Sequence, residues 1–470
     1  MANTVSKSTD RPSRFIDWSS PQTQILIGLM APSIMVGMDH HMFGVALPTL
    51  RAAFALDADT TAWASMGYSL PFMALMPLYG RLGDGLGKRR LILLGTLLFL
   101  IGSSLVVTAT SFPVYIIGRA IQGTGTAGFV PLSIAIIAQW FGPDERGKVM
   151  GAWNSIIPLT GLTVPYFGGL LVDAFGWRAI YPPIMIAGVI ALFVVRRNIP
   201  TLGARTVDPT FLRRFDWPGV ALLSGGLVAL LFYTSSRPIT GVDGLRDWRL
   251  LLLCIIFFAG LLFWERRRQQ PYVNLQLFRN RTFTAVCVAA GLRMTLMSSI
   301  SFILPLYLTD IHALSASAVG IALALQAGTL FLISRAGGQM ADRWGSRRPI
   351  LFSMVGLIAI MVTFAVVPTS TPVWVLYLLS AAHGLIIGIS LAPLHRSSMQ
   401  GIAPEQTGGA AGLYSMIRFA GQILGVAVAG VMLQQGLAGA GTAIAAYQFV
   451  FWLYVGVAVV ATIASWGVRE

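Results

Sequence analysis

The stretch MDHHMFG, which begins at Met38, places Asp39, His40 and His41 side by side within an apolar run that covers residues 24–50. A carboxylate can carry a proton, whereas imidazole and thioether groups together suit soft metal ions such as copper(I). An ionised side chain at the centre of a bilayer costs about 2.5–3.5 kcal/mol on insertion scales. Titratable groups in such a run therefore indicate function, and the elements that hold them must be identified.

The composition predicts an integral membrane protein. Of the 470 residues, 55% are hydrophobic and 11% are charged, whereas soluble globular proteins carry about 25% charged residues. The first 21 residues are polar, so the first apolar run is expected to act as an uncleaved insertion signal. Cys254 and Cys287 lie in apolar runs and indicate neither a disulfide framework nor a metal site.

Fourteen apolar runs are each long enough to cross a bilayer as a helix, which takes about 20 residues. With a cytoplasmic N-terminus, 25 of the 33 lysines and arginines fall on the inner side and five on the outer side, as the positive-inside rule requires. This topology accounts for the net charge of +15 without a nucleic-acid partner. The runs cover residues 24–50, 61–79, 91–109, 113–139, 149–171, 179–195, 217–236, 248–264, 283–308, 318–336, 350–367, 373–394, 410–435 and 446–467.

An internal repeat divides the chain. GRLGDGLGKRR at residues 80–90 and GGQMADRWGSRR at residues 337–348 share the spacing G-x-x-x-D-x-x-G-x-(K/R)-R, and each follows a predicted span on the cytoplasmic side. Two parallel six-helix lobes with two additional helices between them reproduce this placement. The predicted fold is therefore an all-α membrane protein of 14 transmembrane helices with both termini cytoplasmic. Its segments are a tail (1–21), an N-terminal lobe (22–197), an insertion (198–277) and a C-terminal lobe (278–470).

These motifs resemble those of the major facilitator superfamily, specifically its fourteen-helix drug:proton antiporters of the EmrB/QacA type. GRLGDGLGKRR is similar to the cytoplasmic loop motif, and GRAIQGTGTAG (118–128) is similar to the fourth-helix motif R-x-x-Q-G-x-G. MDHHMFGVALPTL resembles the first-helix signature L-D-x-T-I-V-N-V-A-L-P, although His-Met-Phe-Gly replaces Thr-Ile-Val-Asn. RRQQPYVNLQLFRNRTF (267–283) is similar to the loop before the second lobe. The resemblance covers nearly the whole chain.

The stretch GLTVPYFGG, which begins at Gly161, is similar to the family's fifth-helix antiporter motif. Gly161, Pro165, Gly168 and Gly169 fit that motif, and Val164 stands where a glycine usually precedes the proline. Small residues allow helices to approach closely, and a proline can bend a helix. These residues predict either a general packing face or an antiport-specific role.

Asp39 is the acidic residue that the predicted spans place deepest, about 16 Å from the span end at 1.5 Å per residue. Arg119 lies about 10 Å from the outer end of the fourth span by the same rise. Burial disfavours a charged carboxylate, and a nearby guanidinium favours it. We therefore expect Asp39 to take up a proton when Arg119 moves away, which agrees with the proton-coupling role that the resemblance implies. The alternative is a fixed structural pair.

A helical wheel suggests which residues line the substrate cavity. It places three methionines on the face of Asp39 and points His40 away, toward helix packing. The flexible thioethers suit a promiscuous apolar wall. Arg293 and Arg418 lie inside predicted spans and either line the cavity or bond to helix-end carbonyls. The expected cavity residues are Met35, Met38, His41, Met42, Phe43, Arg293 and Arg418.

The repeated loop motif predicts a gate at the cytoplasmic face. Its glycines permit a tight turn, and its carboxylates suit a helix N-terminus or an arginine. The basic residues are also explained by topology alone. The expected gating residues are Gly80, Asp84, Gly87, Arg89, Asp342 and Arg343.

Together these features predict a proton-coupled secondary-active exporter of amphipathic drugs or similar compounds in the cytoplasmic membrane. Its expected partners are membrane lipids, protons and small substrates that are neutral, weakly acidic or singly charged. The proton gradient supplies the energy, so no cofactor or metal is expected, and a functional monomer is the default. A transporter of one physiological lipid or metabolite is the main alternative, because fold does not fix substrate. Copper transport and an intramembrane enzyme are further alternatives. The sequence contains neither a P-loop nor an H-E-x-x-H motif.

Overall fold

Helices form every long element of the computed structural model, which describes residues 20–200, 216–267, 275–402, 407–439 and 441–468. No strand occurs within these ranges. The predicted tail 1–21 lies almost wholly outside them. The division into tail, lobes and insertion stays a prediction, since parts of both linkers around the insertion also lie outside the described residues.

The N-terminal part contains eight α-helices in the described chain, and a 3₁₀ turn at Trp177–Ile180 precedes the last one. The helices are α1 (Pro21–Ala53), α2 (Ala58–Leu86), α3 (Lys88–Val107), α4 (Phe112–Thr126), α5 (Phe129–Trp140), α6 (Pro143–Asn154), α7 (Ile156–Phe175) and α8 (Tyr181–Asn198).

The insertion and the C-terminal part continue the same pattern, with a 3₁₀ turn at Leu275–Arg279 between them. The insertion contains α9 (Trp217–Thr234), α10 (Arg237–Thr240) and α11 (Trp248–Arg267). The C-terminal helices are α12 (Arg281–Asp310), α13 (Ala316–Trp344), α14 (Arg347–Val366), α15 (Val373–Ile389), α16 (Leu391–Ser398), α17 (Thr407–Gly439) and α18 (Ala443–Trp466).

Thirteen segments of the described chain are helical, long and apolar enough to cross a membrane. The fourteenth predicted span, residues 61–79, is also helical and lies in α2, a helix of 29 residues. It is less apolar than the other thirteen because its sequence is interrupted by polar residues such as Thr61, Ser65 and Ser69. The all-α membrane fold is therefore confirmed, while the count of 14 and the cytoplasmic termini stay predictions.

Three predicted spans are each divided into two helices: α4–α5, α6–α7 and α15–α16. The breaks fall at Ala127–Gly128, Ser155 and Ser390. Gly128 lies so close to Tyr79 that an added Cβ would come within 2.4 Å of that ring. Hydropathy predicts where a run crosses the bilayer, but it carries little information on such local packing, so the sequence prediction treated these spans as continuous.

The two lobes meet along the pairs α7–α13 and α2–α17. Gly320 of α13 lies close to α7, because an added Cβ there would come within 2.4 Å of the Pro165 carbonyl oxygen. In the α2–α17 pair, the Phe72 and Phe419 rings meet edge to face at 5.4 Å. These contacts leave a central space between the lobes, and α1 and α12 also border it.

Candidate transport site

A buried ion pair joins α1 and α4 beside the central space. Arg119 Nη1 donates to both carboxylate oxygens of Asp39 at 3.0 Å, and it also donates to Gln122 Oε1 at 2.8 Å. The Arg119 and Asp39 side chains are 3% and 2% exposed. The structure thus brings together the two residues assigned to proton coupling. Whether they carry protons is a separate question that this geometry leaves as a prediction.

The Arg119 guanidinium also lies between two aromatic rings. Its central carbon is 4.7 Å from the ring centroid of Phe43 and 4.7 Å from that of Tyr68. A cation over an aromatic face is attracted by the ring quadrupole, by about 2 kcal/mol or more when desolvated. The hydroxyl of Tyr68 accepts a hydrogen bond from Thr126 at 2.7 Å, which fixes the ring that Arg119 contacts.

Gln122 and Tyr68 are site residues that sequence reasoning missed. Gln122 donates to Ser103 Oγ at 2.7 Å, so it links Arg119 to α3 as well as to its own helix. The R-x-x-Q spacing of the fourth-helix motif carried a signal for Gln122, because residues i and i+3 share a helix face. Tyr68 carried no comparable signal, since its role depends on how α2 packs against α4.

A cavity of about 370 Å³ lies between the lobes next to the ion pair. The N-terminal lobe contributes His40, Phe43 and Phe72, and the C-terminal lobe contributes Gln326 and Phe419, among others. Within the described residues that line this cavity, the formally charged side chains are Asp39 and Arg119. Because these two are paired, the wall combines aromatic faces and polar groups with little net charge.

The predicted cavity face of α1 was wrong by a rotation of the helix. Val36, His40, Phe43 and Leu47 line the cavity at the spacing of a single helix face, with Asp39 at its edge. The helical wheel predicts that the face shared by Asp39 and the three methionines is the one that lines the cavity. Phe43 is thus placed as predicted, whereas His40, which was expected to point away, faces the cavity.

Met35, Met38 and Met42 pack away from the cavity instead of lining it. Met35 Sδ lies against α8, within 3.0 Å of where a Cβ on Gly188 would be, and Met42 Cγ lies within 2.9 Å of the same position on Gly168 of α7. Met38 is partly buried against the apolar core. The physical reason is that α1 contacts both α7 and α8 on this face, so the methionines fill helix–helix contacts.

His41 reaches the cavity from the opposite flank of α1. Its Nε2 lies 3.0 Å from the Ile157 carbonyl oxygen at the start of α7, and both residues line the cavity. The His40 and His41 ring centroids are 5.1 Å apart. In the described chain, no group of three or more His, Cys, Asp or Glu side chains could hold a metal ion. With the methionines turned away, the soft ligands of a copper site are also not assembled here.

Arg293 does not line the cavity, and the alternative role of bonding to a helix-end carbonyl describes it. Its Nη2 donates to the Ile387 carbonyl at 2.7 Å, and its Nε donates to Ser390 Oγ at 2.9 Å. Both acceptors lie where α15 ends and α16 begins. Arg418 is also absent from the cavity wall, and its guanidinium carbon lies 5.5 Å from the centroid of the Tyr414 ring.

The two copies of the repeated motif form the same turn. Gly87 between α2 and α3 has φ +90°, and Gly345 between α13 and α14 has φ +76°. A side chain is strained at such angles, which explains the glycine in each copy. The motif is helical up to this turn, so most of it is a helix end. Gly80 has ordinary packing, with an added Cβ 3.5 Å from Pro131.

The side chains assigned to the gate have different surroundings. Arg89 donates to the Arg196 carbonyl at the end of α8, and Asp342 accepts from Arg396 Nη1 at 2.7 Å. Arg343 lies exposed in the last turn of α13. The side chain of Asp84 lies outside the described part of the structure. These positions join helices within one lobe, and a gating role stays a prediction.

The four residues of the α7 motif face two neighbours. Gly161 lies near both Ala327 and His41, with added-Cβ distances of 2.6 and 2.9 Å, and Gly168 lies against Met42. Gly169 lies within 2.5 Å, by the same measure, of Ser317 Cα. Pro165 is inside α7 and faces α13 through its carbonyl. The motif therefore forms the contact of α7 with α1 and with the other lobe, and an antiport-specific role stays a prediction.

Polar contacts between the lobes lie at the end of the bundle that is predicted to face outward. Arg51 Nη1 and Tyr447 Oη both donate to Asp310 Oδ2 at 2.6 Å. The Asp173 carboxylate of α7 accepts from the backbone amides of Ala316 and Ser317 at 2.8 and 2.9 Å, which caps the N-terminus of α13. These contacts close that end of the bundle over the cavity.

A family model described as Major Facilitator Superfamily matches residues 29–426 and residues 286–470. The chain belongs to the Major Facilitator Superfamily. Members of this superfamily are transporters rather than enzymes, and the resemblance seen in the sequence is confirmed at this level.

Individual relatives agree with the family but differ in what they are named for. The chain is 30% identical over 411 residues to a multidrug resistance protein B homolog of Mycobacterium tuberculosis, covering 85% of this chain and 74% of that one. It is 25% identical over 413 residues to a riboflavin transporter of Clostridioides difficile, covering 88% of each chain. A bacterial homologue of the human lysosomal transporter Spinster has the same fold, with a TM-score of 0.68, 15% identity and coverage of 96% and 97%.

Proposed function

We propose that this transporter exports amphipathic compounds from the cell in exchange for protons, with Asp39 as the proton carrier. The observation that carries the proposal is the buried pair of Asp39 and Arg119 on the wall of the cavity. A carboxylate in this position keeps its charge as long as the guanidinium remains beside it. The proposed proton site then borders the substrate cavity, so the occupancy of one can change the free energy of the other. The proposed location is the cytoplasmic membrane.

The cycle follows from the competition between burial and pairing. In the described arrangement both carboxylate oxygens of Asp39 accept from Arg119. If rocking of the lobes separates α1 from α4, the carboxylate loses that partner and the desolvation cost favours the neutral acid. A proton taken up in that state neutralises the Asp39 carboxylate. Release follows when Arg119 again lies beside Asp39.

The cavity wall supports a broad range of uncharged or singly charged substrates. Aromatic faces such as Phe72 and Phe419 can stack on flat apolar bodies, and Gln326 and Gln422 can donate or accept hydrogen bonds. The mycobacterial relative is named for multidrug resistance, which supports the same class. No cofactor is proposed.

A transporter for a single metabolite is the second candidate. Its support is the relative named as a riboflavin transporter, together with His41 in place of the threonine of the first-helix signature and His40 beside it. A cavity that holds several fixed polar groups can select one flat heterocycle by hydrogen bonding. The two candidates share the fold and the ion pair, so they differ only in the range of compounds carried.

Purified protein in liposomes with an imposed pH gradient separates the two. We expect proton flux to accompany transport of several unrelated flat amphiphiles, including a dye, an antibiotic and a fluorescent neutral aromatic. Proton flux with riboflavin alone would favour the single-metabolite transporter. Transport of every compound at a rate that is independent of the gradient would contradict proton coupling.

A further inference from the structure

The C-terminal lobe contains a partly buried cation within a predicted span that the proton-coupling site does not use. Arg418 lies in α17, about 16 Å along the helix from its start at 1.5 Å per residue. The residue is partly buried, and its guanidinium faces the Tyr414 ring. Among the described residues, no acceptor lies within hydrogen-bond distance of it. Because a guanidinium has five N–H donors, this position is costly unless a partner arrives.

The carboxylates of this lobe are engaged elsewhere. In its described residues the acidic side chains are Asp310 and Asp342, which pair with Arg51 and Arg396. Arg293 is the other deep cation of the lobe, and backbone and hydroxyl oxygens satisfy it. Arg418 therefore differs from both Arg119 and Arg293, since neither a carboxylate nor a carbonyl is paired with it.

An imidazole contacts the same tyrosine ring as Arg418. The His395 ring of α16 meets the Tyr414 ring edge to face, with centroids 5.2 Å apart. His395 is exposed, whereas the Tyr414 side chain is 3% exposed. One tyrosine ring thus contacts both a guanidinium and an imidazole. This combination offers several N–H donors and contains no carboxylate.

The position along α17 connects this cluster with the central cavity. Gln422 lines the cavity, and Arg418 precedes it by four residues on the same side of the helix, about 6 Å away along the axis. The shift is toward the end of the bundle opposite the closed outer contacts. A flat molecule in the cavity could therefore extend a head group along α17 to Arg418.

We propose that Arg418, with His395 and Tyr414, binds the oxyanion of a singly negative amphiphile whose apolar body occupies the central cavity. The substrate class is then an aromatic or aliphatic acid, carried as a carboxylate, sulfonate or phosphate diester. Bonds from a guanidinium to an oxyanion are shorter and stronger than neutral ones. The proposal rests on the proposed function of the cavity, because it assigns the head group of that substrate.

The test compares two ligands of the same shape and different charge. 2-Naphthoate and 2-naphthamide share one ring system, and titration calorimetry in phosphatidylcholine nanodiscs measures both without a proton gradient. We expect the wild-type protein to bind the acid about tenfold more tightly than the amide, as one charge-assisted contact predicts. Arg418→Gln should remove this preference and leave amide binding unchanged.

The matched control is Arg267→Gln, since Arg267 also lies over an aromatic ring, 3.9 Å from the Phe263 centroid, but outside the lobes. It should keep the preference. Equal binding of acid and amide by the wild type overturns the proposal, and so does a preference that survives Arg418→Gln. The wild-type comparison needs no variant, so it decides even if substitution at this position prevents folding.

A second arm identifies the source of the oxyanion. Dihexanoylphosphatidylglycerol and dihexanoylphosphatidylcholine differ in head-group charge, and competition with 2-naphthoate measures whether a lipid phosphate occupies the site. Competition by the anionic lipid alone, lost in Arg418→Gln, supports the oxyanion site and assigns it to a lipid. Because no gradient is used, a binding failure contradicts this site alone, whereas a failure of gradient-driven transport contradicts the proposed function.

Discussion

At the scale of single residues, the proposed proton coupling depends on how Arg119 is held. The guanidinium has a carboxylate and an amide as acceptors and two aromatic rings on its faces. Such a group can lose its counter-ion for part of a cycle without losing every partner. This arrangement suits a site that alternates between two states, and a fixed structural pair remains the alternative.

Replacing Asp39 tests this directly through stability. Asp39→Asn keeps an oxygen that accepts from Arg119, so we expect the melting temperature in detergent to fall by only a few degrees. Asp39→Leu removes the acceptor, and breaking a buried pair in this way costs about 3–5 kcal/mol. Its melting temperature should therefore fall clearly below that of Asp39→Asn. Equal melting temperatures for the two variants would show that the acceptor at this position contributes nothing.

Arg119→Lys tests the planar geometry. Lysine keeps the charge, but a compact ammonium cannot stack on Phe43 and Tyr68 while bonding to Asp39 and Gln122. We expect gradient-driven transport to be at least about tenfold slower, at a cost of about 1.4 kcal/mol in the barrier. Arg267→Lys is the matched control, because Arg267 also lies over an aromatic ring but outside the lobes. Transport by Arg119→Lys at the rate of the control would contradict this interpretation.

At the scale of elements, the sequence predicted the helices well and their faces poorly. Apolar runs located the long helices because hydropathy reports burial in the bilayer, and the repeated motif located both glycine turns. The face of α1 was wrong because the methionines that surround Asp39 fill contacts with α7 and α8. A single sequence does not distinguish a helix face that meets another helix from one that meets a cavity, since both are apolar. The breaks in three spans were missed because hydropathy carries little information on where a helix is interrupted within an apolar run.

At this scale, the α7–α13 contact is expected to hold the lobes together at the predicted outer end. Gly320→Leu would place a side chain where an added Cβ already lies 2.4 Å from the Pro165 carbonyl oxygen. We expect this variant to separate the lobes at the predicted outer end. Spin labels at residues 53 and 435, on opposite lobes, should report a longer distance by double electron–electron resonance, after Cys254 and Cys287 are replaced by alanine.

Gly456→Leu is the control for that measurement, because nothing lies within 4 Å of an added Cβ there. Its distance distribution should match that of the parent protein. An unchanged distribution in Gly320→Leu would mean that this contact does not hold the outer end closed.

At the scale of the whole molecule, closure and coupling are parts of one arrangement. An ion pair and a helix cap join the lobes at the predicted outer end, whereas the cavity lies between the lobes with the Asp39–Arg119 pair on its wall. Alternating access requires that the outer contacts break when the site faces outward. The proposed cycle adds that the protonation of Asp39 determines when this movement is favourable.

Exchange and gradient-driven transport by Asp39→Asn, compared in the same liposomes, test this claim most directly. The account predicts that the variant still exchanges labelled for unlabelled substrate at equilibrium, because the cavity and the lobe movement remain. It also predicts that an imposed pH gradient no longer drives accumulation, because residue 39 can no longer take up and release a proton. Accumulation by Asp39→Asn at the wild-type rate would contradict the assignment of Asp39 as the proton carrier.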